Sequence, residues 1–137
     1  MVYAPCQVRL LSGEVLPRVY VLEQSAFLRH WGDDPARPFL DVSEVLTIED
    51  SPLRLPAPLA DAVYAAGESG MGYFIFTVEF GDGSSHAFLT GDAVDFPDWP
   101  VGIDPRNAIA VGPHVGRGGV HEPSPERAAP LWCLYST

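Results

Sequence analysis

Gly72-Tyr73-Phe74-Ile75-Phe76-Thr77-Val78-Glu79-Phe80-Gly81-Asp82-Gly83-Ser84-Ser85-His86-Ala87-Phe88-Leu89-Thr90 reads as a β-hairpin, and it decides the fold class. Side chains alternate along a strand, so Phe74, Phe76, Val78 and Phe80 share one face, which is the candidate core. Asp82-Gly83 is a strong signal for a two-residue type I′ turn, whose central positions need positive φ. That turn sets Phe80 opposite Ser85, Val78 opposite Ala87 and Phe76 opposite Leu89. The second face then holds Tyr73, Ile75, Thr77 and Glu79, with His86, Phe88 and Thr90 across from them. In this register Glu79 faces His86. A carboxylate beside an imidazole has the makings of a base and its orienter. The commoner meaning of such a pair is a cross-strand charge contact at a sheet surface.

Outward from the hairpin, Cys6–Leu22 reads as a second hairpin. A turn at Ser12-Gly13 places Gln7 opposite Arg18, and Pro17 asks for an edge position or a bulge. Residues Glu23–His30 fit a short helical turn or a strand end. Val42–Ile48 is read as a strand through Leu46-Thr47-Ile48. Three prolines make Ser51–Pro58 an extended connector. Leu59, Ala62, Val63 and Ala66 then fall on one helical face, with Pro58 near the first helical position and Gly67 at the end. Asp104-Pro105 starts a one- or two-turn helix reaching Ala110. Gly112–Pro130 is rich in Gly and Pro and reads as irregular, and Leu131–Tyr135 as a closing strand. The expected fold is α+β. It is a single domain over residues 1–137, a mostly antiparallel sheet of five to six strands with one or two short helices and long Pro/Gly-rich loops. A small, partly open β-barrel is the alternative.

Composition narrows the function classes. The chain has 137 residues, of which 47% are hydrophobic and 19% charged, which is globular rather than disordered. Its net charge is −10 and all eight of its Lys-plus-Arg residues are arginine. An acidic chain lacks the basic footprint for nucleic acid or anionic membranes and suits a basic protein partner. No apolar run approaches the ~18 residues of a membrane span. Met1–Cys6 carries no basic and apolar leader, so the expected location is cytoplasmic. Cys6 and Cys133 lack the spacing of a redox or zinc pair and read as two small buried hydrophobes.

Two stretches bear on function. In Gly91–Pro100, Asp92, Asp95 and Asp98 alternate with Phe96 and Trp99 on a backbone stiffened by Pro97 and Pro100. A stiff loop showing aromatics among acids suits protein binding, and these five residues are the candidate partner contacts. Their spacing of three does not match an EF-hand. In Val111–Pro123, His114, His121 and Arg117 share a Gly-rich stretch. His86, His114 and His121, with Glu79 or Glu122, are a candidate ligand set for a divalent metal, and Arg117 with the glycines a candidate anion cradle. The chain has no Gly-x-Ser-x-Gly, no His-Glu-x-x-His and, lacking lysine, no Walker A motif.

The sequence therefore supports a small acidic cytosolic protein that works without a cofactor by binding another protein, inhibitory or immunity-like toward a basic partner. Homodimerisation is left open. The alternative is a small metal-assisted hydrolase using the histidines.

Overall fold

A computed structural model describes residues 3–32, 35, 37–116, 118–123 and 130–136. Among them lie nine strands and two α-helices. These are β1 Tyr3–Leu10, β2 Val15–Glu23, α1 Gln24–Trp31, β3 Phe39–Asp41, β4 Val45–Glu49, α2 Ala57–Ala66, β5 Phe74–Phe80, β6 Ser85–Thr90, β7 Ala108–Pro113, β8 Val120–His121 and β9 Leu131–Tyr135. The fold is α+β and mostly sheet. The strands form two mixed sheets, in the orders β3-β9-β2-β1-β4 and β7-β5-β6-β8, and neither closes into a barrel. The chain divides into two compact units, Met1–Pro52 with Ala129–Thr137, and Leu53–Ala128. It passes from the first to the second inside the three-proline connector. No helix among the described residues is long and apolar enough to cross a membrane.

In the first unit β1 and β2 pair antiparallel, but the turn is longer by one residue than Ser12-Gly13 implies. The Leu10 N–H donates to the Glu14 carbonyl and the Gly13 N–H to the Leu10 carbonyl, leaving Leu11-Ser12-Gly13 as a three-residue loop. Gly13 takes φ 94°, the left-handed position such a loop requires. Further along, Val8 pairs with Leu16 while Cys6 pairs with Val19. Pro17 and Arg18 therefore oppose the single residue Gln7. This is the bulge that Pro17 demands, since proline has no N–H for the ladder.

The terminal strand β9 enters parallel between β2 and β3. On one face of this sheet Tyr20 stacks on Trp132 at 5.0 Å between ring centroids, and Phe27 of α1 lies 5.9 Å from the same indole. Of the residues Glu23–His30, ambiguous in sequence, Glu23 ends β2 and the rest become helix, which sets Phe27 and Trp31 against those rings. On the other face Cys6, Val8, Val19 and Cys133 cluster, and both cysteines are buried and not joined in a disulfide. Burial pushes the Cys133 thiol above its ordinary value, and the charges of Asp41 and Glu44 add to it.

In the second unit the Phe74, Phe76, Val78 and Phe80 face is buried, as the alternation requires. Its partner strand is slipped by one residue from the two-residue turn. Phe76 pairs with Phe88, Thr77 with Ala87, Val78 with His86 and Glu79 with Ser85. The loop is Gly81-Asp82-Gly83, closed by the Phe80 N–H on the Ser84 carbonyl at 2.9 Å. Gly83 alone takes positive φ, at 89°, and no described non-glycine residue does. Asp82 instead turns its carboxylate onto the Ser84 N–H and hydroxyl at 2.9 and 2.6 Å, and these bonds hold its carboxyl below the ordinary value, the hydroxyl contributing most. A one-residue slip moves a whole strand to the other face. Phe88 is therefore core and Leu89 is not. Gly83→Ala should cost about 1 kcal/mol or more, because a Cβ at that φ is strained. A urea midpoint unchanged by the substitution would show that the loop is not held in this form.

The helix after the connector forms as read, ending at Gly67 with φ 87°. Its packed stripe is rotated from the expected one. Ala60 and Val63 are buried, with Leu59 and Tyr64 packed against the core, while Ala62 and Ala66 are exposed. The stripe with the larger side chains faces inward, since it removes more apolar area from water. Asp104 caps as expected, accepting the Arg106 N–H at 3.0 Å. The helix that follows is only a 3-10 turn, Pro105–Asn107. From Ala108 the chain becomes β7 and pairs antiparallel with β5, so tertiary pairing overrides the local helical reading.

Candidate functional site

The loop after β6 turns inward. Val94, Asp95, Phe96 and Pro97 are buried. The Asp95 residue is 3% exposed. Its carboxylate accepts the Tyr64 hydroxyl at 2.7 Å, and the same hydroxyl oxygen accepts the Val94 N–H at 3.0 Å. The Asp95 carbonyl accepts the Leu55 N–H at 2.8 Å, and Arg54 Nε stands 4.0 Å from Oδ1. The Trp99 indole donates to the Leu53 carbonyl at 2.7 Å and packs edge-on to Phe88, 5.1 Å between centroids. The loop is thus a strap that ties α2 and the segment before it to the sheet. Of the five residues expected to meet a partner, Asp95 and Phe96 are interior and Trp99 is committed to packing. Asp92 is exposed and the Asp98 side chain is 24% exposed. The prolines serve the strap: a backbone with few unfolded conformations loses less entropy on being fixed.

The histidines do not gather. His86 lies on the core face beside Val78, its ring against Phe80 and Phe88. Glu79 pairs with Ser85 and so points to the opposite face, which removes the Glu79–His86 pair read from the shorter turn. His121 rests edge-on to Phe88 with Nε2 3.8 Å from Asp98 Oδ2. His114 follows β7, with Nδ1 3.4 Å from Thr77 Oγ1 and Nε2 2.8 Å from the Gly118 carbonyl. The strands β7 and β8 are opposite edges of a four-stranded sheet, roughly 14 Å apart at ~4.8 Å per strand. Among the described residues no group of three His, Cys, Asp or Glu is placed to hold a metal ion. Glu122 is exposed beside His121, and Arg117, the centre of the anion reading, lies outside the described residues. A groove of about 320 Å³ runs between the end of α2 and β7 and is lined by Phe74, Val111, Glu68 and His114. Its two titratable groups are engaged, His114 as above and Glu68 by the Gly72 N–H at 2.8 Å. The rest of its lining is mostly apolar.

The exposed chemistry lies instead on the first unit, at β4. Among the described residues this strand pairs on one side only, with β1. Leu46 is 62% and Ile48 53% exposed, and Leu11 is exposed beside them, its N–H held by the Glu44 carbonyl at 2.9 Å. Glu44, Glu49 and Asp50 lie in or next to the strand along the chain, Asp41 ends β3, and the segment Phe39–Ser51 has no basic residue. Arg9 bonds Glu49 from the neighbouring strand. The Arg9 and Thr47 bonds hold the Glu49 carboxyl below its ordinary value, and Ser43 does the same for Asp41, so both are charged at neutral pH. Sequence reading found this strand. It could not show that β4 is an edge, although the four acids in ten residues were visible.

No family model, no curated protein and no solved structure matches this chain. What it does must be argued from its own surface.

Proposed function

We propose that this chain is a small acidic protein that acts by binding and occupying a basic protein partner, in the manner of an inhibitor or immunity protein. The observation that carries this reading is the exposed β4 edge, where apolar Leu46 and Ile48 stand on a strand flanked along the chain by Glu44, Glu49 and Asp50. Among the described residues only Glu49 of these acids meets a cation. Exposed apolar side chains rimmed by charge of one sign are a usual mark of a protein-binding surface. A net charge of −10 adds long-range attraction for a basic partner and raises the rate of encounter. For the hydrolase alternative, the described residues hold no group of three His, Cys, Asp or Glu placed for a metal ion.

The test is affinity capture from the producing cell's lysate on immobilised wild type, washed at about 0.05 M and about 0.5 M salt, where screening is respectively weak and strong. The expected result is one basic protein held at the lower salt, at one-to-one stoichiometry, and released at the higher. Retention of no protein, or only of acidic ones, would end this reading.

A further inference from the structure

We propose that β4 takes an extended segment of the partner as an added strand, and that this segment alternates apolar and basic side chains. The proposal rests on the binding reading above and specifies its geometry.

The two sheets present four edge strands, and proteins normally protect such edges. Three are protected here. The strands β3 and β8 span three and two residues and offer shorter edges than β4. The strand β7 ends in Gly112-Pro113 with α2 packed nearby. By contrast β4 is five residues long and contains no Pro, Gly or Lys. Its one irregularity lies beside Leu10, which pairs with Val45 while Arg9 pairs with Thr47. Leu46 is the extra residue of that bulge. Bulges re-aim side chains, and this one leaves Leu46 in solvent.

The alternation follows from the pairing of β4 with β1. Ile48 sits opposite Val8, so it continues the buried row of Cys6 and Val8 out to the open edge. Thr47 and Glu49 sit opposite Arg9 and Gln7 on the other face. A strand laid along β4 would meet Ile48 on one face and Thr47 and Glu49 on the other. Its complement has an apolar residue against Ile48 and Lys or Arg against Glu49 on the other face, with the charge of Asp50 following just beyond the strand. Main-chain bonds would supply affinity and the alternation specificity, as in other strand-addition complexes.

The experiment is selection of random linear peptides displayed on phage against wild-type protein, followed by binding and hydrogen exchange with the selected peptides. Enriched peptides should alternate apolar and basic residues, slow exchange at the Val45–Glu49 amides, and bind Ile48→Lys about tenfold or more weakly. Ile48 is half exposed, so that variant should keep the wild-type melting temperature. Asp50→Asn, still milder, should weaken binding several-fold and shallow its salt dependence. Four results would overturn the proposal: no enrichment, enriched peptides without period-two alternation, exchange protection elsewhere than β4, or a concentration-dependent dimer abolished by Ile48→Lys. If Ile48→Lys still captures the lysate partner fully, the strand-addition mode fails while the binding function stands.

Discussion

Phe88→Ala should destabilise the protein by about 3–5 kcal/mol, the usual loss for a large aromatic removed from a packed core. Phe88 is 0% exposed. Phe76, Trp99, His86 and His121 surround its ring, with centroids 5.1–6.4 Å away, and none can move into the gap without breaking its own contacts. Leu89→Ala is the control. It is one residue away on the other face and partly exposed, so it should cost less than half as much. The two-residue turn at Asp82-Gly83 reverses this order, setting Leu89 inward and Phe88 outward. Urea unfolding of the two variants therefore decides the register as well as the strength of the core. A typical domain has about 5–15 kcal/mol in hand, so the Phe88 variant should remain folded enough to measure. A smaller loss for Phe88→Ala than for Leu89→Ala would mean that the strands pair as the shorter turn dictates.

Both hairpins were legible, and both were off by the same amount for the same reason. Their loops end in Ser-Gly or Asp-Gly, which also reads as a two-residue turn. In each, the residue before the glycine uses its side-chain oxygen to accept the N–H two positions on, Ser12 from Glu14 at 3.4 Å and Asp82 from Ser84 at 2.9 Å. This local bond closes a tight turn without positive φ at the Ser or Asp, and leaves only the glycine left-handed. In the first hairpin the bulge at Pro17 restores the expected pairing beyond it, so Cys6 opposite Val19 could be read correctly despite the turn. In the second no bulge intervenes before Phe74, and the whole of β6 is inverted. The face of β5 was secure because alternation within one strand needs no partner. The insertion of β9 between β2 and β3 was not legible, because parallel pairing of segments so far apart leaves no local pattern. The same limit hid the proposed binding surface. Val45–Glu49 reads as a strand from its residues, but its place at an edge is set by which strands arrive beside β1.

The inward strap makes a second prediction of comparable size. Asp95→Ala should cost about 2–4 kcal/mol, because it leaves the Tyr64 hydroxyl and the half-sheltered Arg54 without the anion between them. Tyr64→Phe should cost about 1–2 kcal/mol, since it removes the donor to Asp95 and leaves the Val94 N–H without the hydroxyl oxygen. The two losses should not add. Once either partner of the 2.7 Å bond has gone, removing the other takes away less, and the cycle should show a coupling of about 1 kcal/mol. Asp95→Asn keeps an oxygen for Tyr64 and should recover a measurable part of the loss. Were Gly91–Pro100 the partner-binding surface, Asp95→Ala would behave as a surface substitution, within about 0.5 kcal/mol of wild type, and would weaken partner capture instead. Asp95 and Ile48 are thus opposite experiments on one question. Substitution of the first should move the urea midpoint and leave the affinity of the folded fraction unchanged; substitution of the second should lower affinity and leave the midpoint where it was. That crossed pattern follows from acids that look alike in the sequence: Asp95 is sealed under a tyrosine by the strap, whereas Glu49 and Asp50 stand beside an open strand.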